Sequence, residues 1–195
     1  TGITLSYSNN FARSLRFEAG FAGNIGGMNT KDDPDAFTGQ FEKERDNAFR
    51  ANTSLNWMLN KAWVTSLKFD ASVNFNDNLY RFHKYESYAS NQPAVHAQLP
   101  GYFLADQLPL TYFSDQITDS KELDFAASLK YNWNKRWDDW KSLLKAGVQW
   151  KANGNVGQGE YYEDPALAAN GYRPRPYTDY PFMHNLSVYA EEMLT

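Results

Sequence analysis

Residues 123–152 read LDFAASLKYNWNKRWDDWKSLLKAGVQWKA, and this stretch decides the fold. Leu123, Phe125, Ala127, Leu129, Tyr131 and Trp133 alternate with Asp124, Ala126, Ser128, Lys130 and Asn132. That is the period-2 pattern of a strand with one apolar and one mostly polar face. After the polar segment Asn134 to Asp139 the device returns, with Leu144, Ala146, Val148, Trp150 and Ala152 against Lys145, Gly147, Gln149 and Lys151. Two such strands joined by a short turn are a β-meander unit. Trp133, Trp137 and Trp140 crowd around the turn. A bulky ring with one polar atom is most stable where hydrocarbon meets water, so the turn is expected at a membrane surface.

The same device recurs outward from this hairpin. Ile3, Leu5 and Tyr7 alternate with Thr4, Ser6 and Ser8, a turn is expected at Asn9-Asn10, and Leu15, Phe17, Ala19 and Phe21 alternate with Ser14, Arg16, Glu18 and Gly20. Ala51, Thr53, Leu55, Trp57 and Leu59 oppose Arg50, Asn52, Ser54 and Asn56. Beyond an expected turn at Asn60-Lys61, Trp63, Thr65, Leu67, Phe69, Ala71, Val73 and Phe75 oppose Ser66, Lys68, Asp70, Ser72 and Asn74. A last strand, Asn185 to Leu194, sets Leu186, Val188 and Ala190 against Ser187, Tyr189 and Glu191. Residues 23–47, 77–122 and 154–184 carry no apolar period and many turn formers, and are expected to be long loops.

Short turns and long loops therefore alternate. In an antiparallel meander every short turn falls at one end and every long loop at the other, the asymmetry of outer-membrane barrels with their short periplasmic turns and long extracellular loops. The expected fold is all-β, an antiparallel up-and-down meander of about seven strands within one barrel domain. Single-chain bacterial barrels have an even strand count of eight or more, and an open edge in lipid leaves backbone groups unpaired. The chain is thus expected to be a consecutive segment of a larger barrel.

Composition narrows the choices. Mean hydropathy is -0.67 and no apolar run reaches the roughly 18 residues of a membrane helix, while a barrel strand meets lipid only with alternate residues. A formal charge of -4, from 19 basic and 23 acidic residues, offers no basic stripe for nucleic acid. Without cysteine there is no disulfide framework and no thiolate site. Thr1 to Ser8 already read as a strand, so no signal peptide is expected in these residues. Inverted, the same alternation would serve a complete small ligand-binding barrel of the lipocalin kind, with apolar residues inside. Aromatics at strand ends, small residues such as Ala51, Ala71, Ala127 and Ala146 at mid-strand, and a polar face rich in Asn, Ser and Gln favour lipid.

Candidate chemistry is sparse. His83, His96 and His184 lie in or beside the expected loops without metal-ligand spacing. Asp179 and His184 are the one acid–base pair that a barrel hydrolase with a loop-borne site would use, a second alternative; no enzyme activity is expected. Asp32, Asp33 and Asp35 lack the glycine and terminal glutamate of a calcium loop, and Pro34 interrupts them. No cofactor or metal is expected. Tyr102, Phe103, Tyr112 and Phe113 offer flat rings for stacking on a substrate or partner.

The third expected loop reads Tyr172-Arg173-Pro174-Arg175-Pro176-Tyr177-Thr178-Asp179-Tyr180-Pro181-Phe182-Met183-His184 and runs into a strand with Glu191-Glu192. This run resembles barrel segments of TonB-dependent outer-membrane transporters of Bacteroidetes, in the SusC-like and carboxypeptidase-regulatory-like groups. Asp179-Tyr180-Pro181-Phe182 stands where that family has Asp-Ile-Pro-Phe. The resemblance implies a 22-stranded barrel with a plug domain outside this chain, and import of a glycan, peptide or chelate driven through the TonB complex. It further implies outer-membrane lipid around the wall and a SusD-like surface lipoprotein as lid. Arg173, Arg175, Asp179, Tyr102 and Tyr112 are the expected substrate or loop contacts at the mouth.

Overall fold

A computed structural model describes residues 1–32, 38–87, 110–168 and 173–195. The chain is an antiparallel meander: β1 Gly2–Ala12, β2 Leu15–Asn29, β3 Phe41–Lys61, β4 Val64–Ser87, β5 Thr111–Arg136, β6 Lys141–Asn155, β7 Gly159–Tyr162 and β8 Met183–Leu194. Spatial order is β1-β2-β3-β4-β5-β6-β8, with the short β7 paired to β5 beyond the end of β6. No α-helix occurs among the described residues, and the sheet is open, with β1 and β8 as its edges.

Register brings the alternate apolar residues of all seven long strands into common rows. Tyr7, Ala19, Thr53, Ala71, Ala127, Trp150 and Leu186 lie side by side, as do Leu5, Phe21, Ala51, Val73, Phe125, Ala152 and His184. The intervening rows are polar, for example Ser8, Glu18, Ser54, Asp70, Ser128, Gln149 and Ser187. A one-residue slip at any ladder would mix the two sets, so the pattern fixes the register.

Several expected boundaries are corrected. The turns fall at residues 13–14, 62–63 and 137–140, four and two residues beyond the expected dipeptides in the first two cases. The expected loops at 23–47, 77–122 and 154–184 are shorter. β2 runs on to Asn29 and β3 starts at Phe41; β4 reaches Ser87 and β5 starts at Thr111; β6 ends at Asn155 and β7 uses four residues of the third loop. The period is lost there because both faces turn polar, whereas ladder hydrogen bonds are made by the backbone and need no apolar side chain.

The turn end is tied by tryptophans. Trp133 Nε1 donates to the Ala62 carbonyl at 2.8 Å, the Tyr131 hydroxyl donates to the Trp63 carbonyl, and Trp133 meets Trp137 edge-on at 6.0 Å. Among the described residues no second layer covers the apolar face. The buried apolar residues among those described are Val64, Ile117, Ala152 and Ala168, while Leu5, Leu186 and Val188 are 59%, 70% and 76% exposed.

Candidate functional site

Above the apolar rows, β3, β4 and β5 carry on in register and their once apolar face becomes charged. Counting by twos from Phe75 and Leu123 leads to Asp77 and Lys121, then to Arg81, His83 and Asp115. Arg45 Nη2 donates to Asp77 Oδ1 at 2.9 Å across the β3–β4 ladder. Arg81 Nε donates to Asp115 Oδ1 at 3.1 Å, and its Nη2 group pairs with the Glu163 carboxylate. His83 Nδ1 sits 3.0 Å from the same Asp115 oxygen.

The His83 ring is sandwiched. Phe41 stacks on one side at 4.8 Å and 17°, and Phe113 on the other at 4.9 Å and 4°. The ladder builds this directly, since Phe41 is opposite His83, His83 is opposite Asp115, and Phe113 follows two residues along on the same face. Burial pushes the Asp115 carboxyl up, but hydrogen bonds from Arg81 and His83 and their charges outweigh it, holding it below its ordinary value. The Arg81 guanidinium is pushed up, chiefly by its bond to Asp115. This cluster locks three strands together.

A bulge supplies Glu163. Glu122 is opposite Asn155, but Asp119 is opposite Gly159, so one extra residue lies between the two pairings. Asn155 Oδ1 accepts from the amides of Lys121 and Gly157, both at 2.9 Å, and the Asp119 carboxylate takes Lys121 Nζ at 2.7 Å and the Gln158 amide at 3.1 Å. Burial pushes the Asp119 carboxyl up, and the hydrogen bonds from Lys121 and Gln158 more than reverse it. Gly159 has φ +84°, and a Cβ there would strike the Arg175 carbonyl. That contact matters because Arg175 and Glu160 exchange backbone hydrogen bonds of 3.1 and 3.3 Å.

The opposite face is mostly polar. Near the turn end Arg16 pairs with Glu18 at 2.6 Å, and Asp70 holds both Lys68 at 3.1 Å and Lys130 at 3.6 Å, two like charges directly opposite on the ladder. Ser54 donates to the same Asp70 at 2.8 Å. Mid-strand, Arg50 Nε donates to Asn74 Oδ1 at 2.7 Å. Towards the long connections the rows become Glu44, Tyr80, Thr118, Glu160 and then Glu42, Phe82, Gln116, Tyr162. Burial and then the Glu42 and Glu44 carboxylates push the Tyr80 phenol up.

The nominated mouth contacts are scattered over this end. Arg175 lies on the backbone bridge to Glu160, Arg173 is exposed in the segment before it, Asp179 is exposed at the end of the 3-10 turn Tyr177–Asp179, and Tyr112 is half-buried on β5 opposite Glu86. Tyr102, Phe103, His96, Asp33, Pro34 and Asp35 lie outside the described residues. His184 stacks on Trp150 at 6.0 Å and 11°, well inside the apolar rows. Among the described residues no group of three His, Cys, Asp or Glu side chains is placed to hold a metal ion.

Sequence reasoning missed the His83 cluster and the ring-and-carboxylate rows because it treated their residues as loop. The apolar period stops at Phe75 and Leu123, and only strand parity, once the pairing is known, puts Asp77, Arg81 and His83 on one face with Lys121 and Asp115. No protein-family model, curated protein or solved structure matches the chain.

Proposed function

We propose that these strands are a consecutive stretch of wall in a transmembrane β-barrel of a Gram-negative outer membrane, belonging to a TonB-dependent transporter that imports a nutrient. The observation that carries the reading is a single-layer sheet whose rows below Phe75 and Leu123 present a mostly apolar face that no other layer covers among the described residues, bounded by two edges that are exposed along their whole length. In water such a sheet would leave each large apolar side chain about 1.5–3 kcal/mol short of what burial gives. Lipid removes that cost, and further strands on β1 and β8 satisfy the edge hydrogen bonds.

Dimensions agree with this reading. From Trp133 to Leu123 the apolar side of β5 extends about 34 Å at ~3.4 Å per residue. A strand tilt of about 40° reduces that to about 25 Å, the apolar height of an outer-membrane barrel. Tryptophans gather at the short-turn end of this band, where a periplasmic girdle would lie. The polar face then lines the lumen, and the long connections stand at the extracellular mouth with Arg173, Arg175 and Asp179. A SusD-like lid, the TonB complex and the plug complete the proposed machine outside this chain.

The test is fractionation of native cells, with the chain detected by mass spectrometry and its parent run on heated and unheated gels. Recovery from the outer membrane, at a mass well above 22.4 kDa and with heat-modifiable mobility, is the expected result. A soluble species at the chain's own mass would overturn the transporter and leave the small ligand-binding barrel.

A further inference from the structure

The polar face is segregated by charge along the strands. Its turn-end half carries Arg16, Lys68, Lys130, Lys145 and Lys151 against Glu18, Asp70 and Glu191, whereas beyond the row of Arg50, Asn74 and Asp124 it carries Glu122, Asp46, Glu44 and Glu42. Of the cations at that end, Lys84 pairs with Glu86 at 2.9 Å, Arg175 is bridged to Glu160 through the backbone, and Arg173 is exposed in the segment before it. Lys43 and Arg45 are on the other face by alternation.

Among these carboxylates stand three rings. Tyr80 and Phe82 meet at 6.4 Å and 40°, and Tyr162 shares a row with Phe82, separated from it by Gln116. The face of an aromatic ring is negative, so a carboxylate beside it gains nothing from the ring, while a cation between them gains from both.

We propose that the polar face at the long-connection end is a docking surface for a basic peptide segment. Its lysine or arginine side chains seat between the rings of Tyr80, Phe82 and Tyr162 and the carboxylates of Glu42, Glu44 and Glu160. Charge complementarity selects this occupant over an acidic peptide, and the ionised carboxylates beside the rings select it over a neutral glycan. As a substrate class for import, this rests on the reading of that face as the wall of a lumen.

The experiment is calorimetric titration of the purified full-length protein in detergent. Three probes are compared: a lysine- and arginine-containing tetrapeptide, its glutamate counterpart and a neutral oligosaccharide of similar mass. The basic peptide is expected to bind in preference to both, with affinity falling as salt rises. E42Q/E44Q is expected to weaken it about tenfold or more and Phe82→Ala about fivefold, while K43Q on the opposite face leaves it unchanged.

Equal binding of the three probes, preference for either competitor, or full affinity in E42Q/E44Q overturns the proposal. If E42Q/E44Q loses heat-modifiable mobility and is misfolded, the salt titration of the unaltered protein decides, and salt-independent binding overturns it. Location separates the two readings. An outer-membrane protein indifferent to peptide charge keeps the barrel and loses the basic ligand; a soluble protein that prefers the basic peptide does the reverse.

Discussion

The strands behave differently below and above the row of Phe49, Phe75 and Leu123. Below it the two faces are chemically separate, apolar against polar, on every strand. Above it charged residues mix with aromatic and apolar ones on both faces, yet β3, β4 and β5 remain paired in one unbroken register up to Phe41, Ser87 and Thr111. The difference teaches that apolar alternation reports what covers a sheet, not how far its strands extend. Backbone pairing holds the upper part, and charged clusters replace packing as the cross-strand glue.

The sharpest way to break the comparison is to place a charge on each face at the same height. Leu129→Arg is expected to cost about 2–4 kcal/mol and to abolish assembly in the outer membrane, whereas Ser128→Arg on the polar face falls within about 0.5 kcal/mol. Heat-modifiable mobility in native membranes checks both. Equal tolerance of the two would remove the lipid reading of the apolar face.

Next in size is the left-handed residue that lets the segment around Arg175 lie on β7. Gly159→Val is expected to cost about 1–3 kcal/mol in backbone strain and to expose residues 173–180 to protease, with the rows below unaffected. Limited proteolysis mapped by mass spectrometry measures this.

Acid should loosen the upper region. The Asp115 carboxyl is lowered in the folded chain, so its stabilising contribution is full above the unfolded value of about 3.9 and is lost as pH falls through the lower folded value. The protection factor of the Glu163 amide, bonded to the Asp115 carbonyl at 2.9 Å, should therefore fall in that acid range and stay flat from pH 5 to 8. Asp115→Asn should show raised exchange at every pH, by about 1–3 kcal/mol of local opening.

The smallest effect belongs to the ring sandwich. His83→Leu keeps volume between Phe41 and Phe113 but removes the stacked ring and the Asp115 contact, for about 0.5–1.5 kcal/mol of local stability. Exchange at the start of β5 measures it, and a change at the turn-end tryptophans instead would show that the two regions are not independent.

Much of the lower region was legible in the sequence because one period-2 rule runs through every strand. Leu123 to Trp133 and Leu144 to Ala152 needed only period 2 to give faces, neighbours and register, and the alternation of short and long connections gave the two ends. The site was far less legible. His83, Asp115 and Glu163 come from β4, β5 and the far side of a bulge, and nothing local marks a residue that is separated in sequence but shares a row.

By itself the sequence determined the class of the fold, the meander order and which side chains share a face, since alternation along a strand is a property of the backbone. Only the tertiary structure decided how far the strands run past the apolar rows, that Val156-Gly157-Gln158 form a bulge bringing Glu163 to Arg81, and that Arg175 lies on Glu160. Those features depend on which chain segments are already paired, and a ladder can recruit any backbone that reaches it.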